Sequence, residues 1–380
     1  MIYLDNSATS YPKPQCVIDG ITEAMIKYGA NPGRGTYEMS WETSEQIYRC
    51  RKNIAQFFKV NNVENIIFTY NCTTALNMAI KGVAKKGYNF IISDLEHNAV
   101  VRPLEALKQM GICEYSVAKV EKDVYSTLRN FERLINDKTI AIICTGASNV
   151  FGIIPPYKGL SALAHRYGAL FIMDYSQCAG IIPLDMTESN VDILCCSGHK
   201  GLLGPSGVGL LIINNDICFN TIIEGGTGSN SKSLSQPLVY PDRMESGTPN
   251  IIGIIGLSHA LEFLQKIHLY DAYKKEISLM KYLQKYLMTN DNFLIYTNLF
   301  EQGIKYAPIL SFNVKGKQSE EIAGYLSKSG IAVRAGLHCA PLAHMKFKTD
   351  EIGTLRISPS IFTKKSDIDL LINSLRKIAK

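Results

Sequence analysis

The sequence is most constrained by a series of short apolar runs with helix-like segments between them. NIIFTY, NFIISD, IAIICT, ALFIMD, VDILCC and GVGLLII fall between residues 64 and 215, and helical patterns cover 74–85, 99–110 and 158–167. This alternation predicts helices on both faces of a largely parallel sheet. Strands buried on both faces read as unbroken apolar runs, as these do. Residues 216–250 are loose and rich in Gly, Ser, Asn and Pro, which predicts a long loop region. Helices are expected over 251–267 and 270–288. The rest of the chain mixes strands (PILSFNV, TLRISP) with helices over 319–329 and 366–379, the pattern of a smaller α+β unit near the N-terminus.

A chain of 380 residues exceeds one small core and favours a large domain plus a smaller one. Hydrophobic residues make up 46% and charged residues 19%, ordinary values for a soluble globular protein. The net charge of +6 is spread without a basic run, so nothing points to a nucleic-acid partner. The start, MIYLDNSATS, lacks the basic and apolar regions of a secretory signal. The apolar stretches 140–154 and 202–213 are interrupted, and neither reads as a membrane span. Ten cysteines are scattered singly apart from Cys195–Cys196, and no CxxC occurs. Buried thiols in a reducing cytoplasm are expected, with no metal site.

In sheets of this kind, ligands gather at the carboxyl ends of the strands. Thr73 and Thr74 follow NIIFTY, His97 follows NFIISD, and Asn149 follows IAIICTGA. Asp174 ends ALFIMD, and Lys200 follows VDILCC. Lys200 lies in SGHKGLLGPSGVG and has three readings: a solvated loop lysine, a phosphate-binding lysine, or a lysine that holds an aldehyde cofactor covalently. The motif GxxxxGK[ST] is absent, which weakens the second. A pyridoxal phosphate site needs such a lysine, a carboxylate for the ring nitrogen, and donors for the phosphate. Asp174 is a candidate for the carboxylate, although a strand-end aspartate also serves as a cap or ion-pair partner. Thr73 and Thr74 stand where a helix N-terminus favours anions, and a threonine N-cap is compatible with that.

The order of further stretches makes the pattern specific. They are YLDNSAT (3–9), NPGRGTYEMS (31–40), TTALN (73–77), EHNAVVRP (96–103), ASNVFG (147–152), MDYSQCAG (173–180), SGHKGLLGPSGVG (197–209), ESGTPN (245–250), VRAGLHCA (333–340) and LRISP (355–359). With them the chain resembles the class V aminotransferase family of fold-type-I pyridoxal phosphate enzymes, in its cysteine desulfurase and selenocysteine lyase branch. The resemblance implies a mostly parallel seven-stranded sheet sandwiched by helices over 15–255. It implies a smaller α+β domain over 256–380 together with 1–14.

By resemblance, Lys200 holds the cofactor and later acts as base, Asp174 pairs with the ring nitrogen, and His97 stacks on the ring. Gln177 and Asn149 face the ring oxygen, with Asn149 also beside the substrate. Thr73, Thr74, Ser197 and His199 serve the phosphate. Thr248, in GTPN, would reach the cofactor of a second subunit, which implies a homodimer with shared sites, and Arg34 would face across it. Arg356 would clamp the substrate carboxylate, with Arg334 nearby. Cys339 would take sulfur from L-cysteine as a persulfide and pass it to an acceptor protein. Its attack needs a thiolate, and His338 and Arg334 are the local candidates for the positive charge that favours one. Departures from the family pattern are Cys72, Ala75, Tyr175, Ser176 and Leu337. Selenocysteine lyase stays open beside desulfurase, and an aminotransferase or racemase, which would leave Cys339 without a role, is more distant.

Overall fold

A computed structural model of the chain describes residues 1–33, 35–214 and 217–378. Among these, seven strands form one sheet in the order Ile66–Thr69, Gly209–Ile213, Ile193–Ser197, Leu170–Asp174, Thr139–Thr145, Tyr88–Ser93, Cys113–Ala118. Gly209–Ile213 runs antiparallel to both neighbours, and the other pairings are parallel. The fold class expected from the sequence is the one observed. Cys113–Ala118 had no apolar run to announce it. It is an edge strand, covered on fewer sides, with Glu114 and Val117 exposed.

Successive strand residues point to opposite faces. Cys196, Leu194, Met173, Phe171 and Ile142 join one core, and Cys195, Ile193, Ile172, Ile143 and Ile213 join the other. The two adjacent cysteines are therefore fully buried on opposite sides of the sheet. Helices Gln15–Lys27, Glu38–Phe58 and Ile251–Gln265 pack together on the first face, and Cys72–Val83 and Asn98–Gln109 on the second. Residues 217–250 carry neither helix nor strand, as their composition predicts. Among the described residues, no helix is long and apolar enough to cross a membrane.

A second, antiparallel sheet has the order Phe293–Ile295, Leu310–Val314, Thr354–Ile357, Arg334–Gly336. The N-terminus joins this part: Ile2–Tyr3 pairs with Ile331–Ala332, and Asp5 bridges to Ser358. The helix Ile251–Gln265 runs unbroken through residue 255, and a Cβ on Gly204 would meet Leu257 Cδ1 at 2.9 Å. We propose the division between the two parts at the end of this helix rather than at 255.

Candidate active site

The parallel register aligns strand ends, with Thr145 opposite Asp174 and Asp174 opposite Cys195. The loops leaving these ends bring Thr73, His97, Asn149, Asp174, Gln177, Ser197, His199 and Lys200 around one cavity of about 130 Å³. Lys200 follows the strand Ile193–Ser197. Its loop lies against the loop after Asp174, where a Cβ on Gly180 would stand 2.1 Å from Gly201 O. Gly180 also has φ +78°, so two glycine backbones touch where no side chain fits. Burial lowers the Lys200 amine below its ordinary pKa, Asp174 and Cys72 pull it back up, and Arg356 and Arg334 add to the lowering. Asp174 Oδ1 accepts from Ser176 N at 3.0 Å and from the Cys72 thiol at 3.6 Å.

The helix Cys72–Val83 starts at this cavity. Its N-cap is Asn71, whose Oδ1 accepts from Thr74 N at 2.9 Å and Thr74 Oγ1 at 3.2 Å, so neither threonine is the cap. Thr73 lines the cavity with Lys200. Thr74 lines a separate cavity of about 230 Å³ that Thr248 also borders. Asn31 Nδ2 donates to Thr248 Oγ1 at 3.3 Å. Ser197 Oγ lies 3.5 Å from Ser176 Oγ. His199 Nδ1 meets Thr9 Oγ1 at 3.0 Å, and burial, aided by Lys200 and Lys13, lowers its pKa to about 4. His199 is thus neutral near pH 7, suited to donate rather than to pair.

His97 is a helix cap as well as a cavity residue. Its Nδ1 accepts from Ala99 N at 3.0 Å, and burial holds its pKa low, so the ring is neutral with Nδ1 occupied. Gln177 Nε2 donates to Ser7 O at 3.1 Å. The N-terminal strap closes this side: Ser10 N, Thr9 Oγ1, Ser10 Oγ and Lys13 Nζ all donate to His199 O, at 2.9–3.1 Å. YLDNSAT marked this segment, but only packing reveals what it holds.

Arg356 and Cys339 lie outside the cavity lining but are tied to it. Arg356 is 2% exposed. Its Nη2 binds Asp5 Oδ1 at 2.6 Å, and its Nη1 binds Asn149 O at 2.8 Å, while Nε has no partner. Arg334 pairs with Arg356 across two strands, is exposed, and makes no ion pair with any described residue. Cys339 is exposed. Its carbonyl accepts from Asn98 N at 2.8 Å, and the carbonyl of His338 accepts from Asn149 Nδ2 at 2.7 Å. Two carbonyls thus fasten the cysteine loop beside His97 and Asn149. His338 and Cys339 have φ of +50° and +56°, the left-handed region that non-glycine residues rarely adopt.

One expectation is corrected here. His338 does not supply positive charge to Cys339. It is buried, both ring nitrogens lack partners, and burial lowers its pKa to about 2. Arg34 lies outside the described residues. Asp5, Asn71, Cys72 and Ser176 complete the site, and none carried a role in the sequence.

An aldehyde cofactor with a phosphate requires a neutral primary amine, a carboxylate partner, and donors for an anion. Lys200 is driven toward the neutral form, Asp174 holds the carboxylate, and the cavity reaches a helix N-terminus beside Thr73 and Ser197. The donor set fits pyridoxal 5'-phosphate. A profile of class V aminotransferases matches residues 2–371. The chain belongs to the class V aminotransferase family. A probable cysteine desulfurase of Borreliella burgdorferi is 32% identical over 100% of this chain and 92% of that protein. A cysteine desulfurase of Pectobacterium atrosepticum is 29% identical over 100% and 93%. Among solved structures, the cysteine desulfurase of Thermococcus onnurineus NA1 superposes with TM-score 0.92 at 29% identity, over 100% of this chain and 94% of that one. The cysteine desulfurase CsdA of Escherichia coli gives 0.88 at 26% identity, over 99% and 94%.

Proposed function

We propose that this class V aminotransferase-family protein is a pyridoxal 5'-phosphate-dependent cysteine desulfurase that converts L-cysteine to L-alanine and leaves the sulfur on Cys339. The observation that carries the reading is the cysteine loop, pinned by its own carbonyls to Asn149 and Asn98 at the rim of the cavity Lys200 and Asp174 share. The full-length similarity to named desulfurases supports it.

Lys200 would hold the cofactor, Asp174 its ring nitrogen, His97 its face, Gln177 and Asn149 its ring oxygen. Thr73, Thr74, Ser197 and His199 would serve the phosphate. Bound there, the cofactor supplies an electron sink for the bond that breaks at the substrate's Cα. The Lys200 amine takes the Cα proton as base. Arg356, with Arg334 nearby, would hold the substrate carboxylate, for which guanidinium is suited. The Cys339 thiolate attacks the substrate sulfur, the Cβ–S bond breaks, and a proton goes to Cβ. The balance is one enzyme thiol plus cysteine giving one persulfide plus alanine. A thiol acceptor, small or protein, then removes the outer sulfur.

A homodimer with shared sites is part of the proposal. It rests on Thr248 at the cavity of Thr74 and on Trp41 and Met39, 71% and 47% exposed at one helix start. The deciding experiment measures alanine release from L-cysteine and L-selenocysteine by wild type, Lys200→Ala and Cys339→Ser, with mass spectrometry of Cys339. A 32-dalton adduct on Cys339 and loss of the cysteine reaction in Cys339→Ser are expected. Undiminished cysteine turnover in Cys339→Ser removes the persulfide role. A selenocysteine reaction surviving alone in Cys339→Ser fits a desulfurase with lyase side activity, whereas a wild type that acts on L-selenocysteine and not on L-cysteine points to a lyase.

A further inference from the structure

A second, smaller cavity of about 30 Å³ adjoins the first. It has room for about two water molecules. Lys200 borders both this cavity and the larger one. Asn6, Ser7 and Ser10 of the N-terminal strap line it, with Ser358 and Ser360 from the smaller part. So does Glu276, from the helix Leu269–Leu287.

Glu276 is 2% exposed, its Oε2 has no hydrogen-bond partner, and it forms no ion pair with any described residue. A buried carboxyl left in this state is costly. Three occupants of the cavity would relieve it: a cation, a rearranged side chain, or water. A cation is disfavoured, because Lys200 lines the cavity and Lys13 Nζ donates at 2.7 Å to Ser10 Oγ, another lining residue. Two hydroxyls already donate elsewhere, Ser358 Oγ to Leu4 O and Ser10 Oγ to His199 O, while Ser360 Oγ accepts from Phe362 N. Water has the size, and the polar lining gives it the partners an internal water needs.

We propose that water in this cavity joins Glu276 to Lys200, making Glu276 a positioning residue for the protons that Lys200 handles. The inference rests on the reading of Lys200 as the base. Burial pushes Glu276 up to about 8, with Lys275 on its own helix pulling the other way, so it carries a proton near pH 7. In this proposal the smaller cavity, which Lys200 also lines, keeps its amine in contact with water when substrate fills the larger one. The hydrogen taken from Cα then exchanges with water and with the Glu276 acid, one O–H or N–H hydrogen for another, with no net change in charge.

The test runs the reaction in D2O and reads the alanine by mass spectrometry and NMR. Wild type is expected to release alanine carrying solvent deuterium at Cα. Glu276→Gln, which keeps the side chain's shape, is expected to retain the substrate's own hydrogen several-fold more often. Ala307→Leu, which fills the same cavity and leaves Glu276 in place, is expected to do likewise. A merely structural role would slow the variants without changing this partition, so equal retention overturns the proposal. A second readout needs no turnover. The infrared difference between wild type and Glu276→Gln without cofactor should show a carboxylic-acid C=O band that shifts promptly in D2O. A missing band, or one that does not shift, overturns the proposal. If no form of the enzyme yields alanine, the desulfurase reading falls, and the infrared band still decides on the hydrated acid.

Discussion

Arg356 has two of its three nitrogens committed to the protein before any substrate arrives. Asp5 neutralises it, and side-chain exposures of 2% and 18% make this a largely buried pair. Removing one partner of such a pair strands the other charge, which costs about 3–5 kcal/mol. Asp5→Ala is expected to lower the unfolding free energy by about that amount in urea titrations. Adding Arg356→Met to it should return much of the loss, because no charge is then left stranded. Neighbouring Arg334 acts differently. It is exposed and makes no ion pair with any described residue, while His338 is buried and neutral, which leaves Arg334 as the remaining one of the two candidates the sequence offered for positive charge toward Cys339. At neutral pH, Arg334→Gln is expected to slow alkylation of Cys339 by iodoacetamide, followed by peptide mass spectrometry. His338→Gln should leave the rate nearly unchanged. Lys200, Asp174 and His97 could be placed at one rim from the sequence because each ends or soon follows an apolar strand, and topology sends strand ends to one place. Asp5, Glu276 and Asn71 could not, because their meaning depends on partners far along the chain or on a cavity.

The helix Cys72–Val83 shows the same at the level of elements. Its existence and its place at the site follow from NIIFTY and the polar residues after it, but its cap does not. Asn71 satisfies Thr74 N in the absence of an anion. Asn71→Ala is expected to lower the stability of the cofactor-free protein by about 1 kcal/mol. Added pyridoxal 5'-phosphate should narrow the gap, because its phosphate offers the freed N–H another acceptor. Thermal melts of both proteins with and without cofactor check this, and a gap that widens on loading would contradict it. The sequence pattern was silent on Glu38–Phe58, the longest helix among the described residues, for a physical reason. Its buried face includes Ser40, Thr43 and Arg51, which blur the apolar period. Arg51 reaches Ile66 O and pairs with Glu245 at 2.5 Å, whose other oxygen accepts from Phe68 N at 2.6 Å. These polar groups fasten the 217–250 loop region to the edge of the sheet. Only tertiary structure explains a charged residue there. Strand Arg334–Gly336 was hidden similarly, its residues standing out as a motif rather than as a β pattern.

Across the whole molecule, buried groups with displaced proton affinities set how stability varies with pH. Glu96 and Glu276 are pushed by burial from 4.5 to about 8, one bonded to Thr145 at the Lys200 cavity and one on the smaller part. Between those values the folded chain keeps protons that the unfolded chain releases. Stability therefore falls as pH rises, by about 1.4 kcal/mol per pH unit for each carboxyl. The histidines act in the opposite sense. His199 and His338 drop from 6.5 to about 4 and about 2, and His97 and His344 are also held low. Between 4.5 and 6.5 the unfolded chain binds protons that these four folded imidazoles refuse, against two carboxyls acting the other way, so stability rises with pH up to 6.5. From 6.5 to 8 the histidines no longer contribute and the carboxyls act alone. Above 8, Lys13 enters, lowered from 10.5 to about 8, and the unfolded chain again holds the extra proton. The cofactor-free protein is therefore expected to be most stable near pH 6.5 and to weaken toward pH 8, with the fall halting there. Urea midpoints measured from pH 5 to 9 test the shape. Glu96→Gln and Glu276→Gln should each remove about half of the decline between 6.5 and 8, and both together should flatten it. If the decline persists in the double variant, these two carboxyls are not its source. If each variant acts alone and the two effects add, the large and small parts unfold as one cooperative unit, since each part contributes one of the two acids.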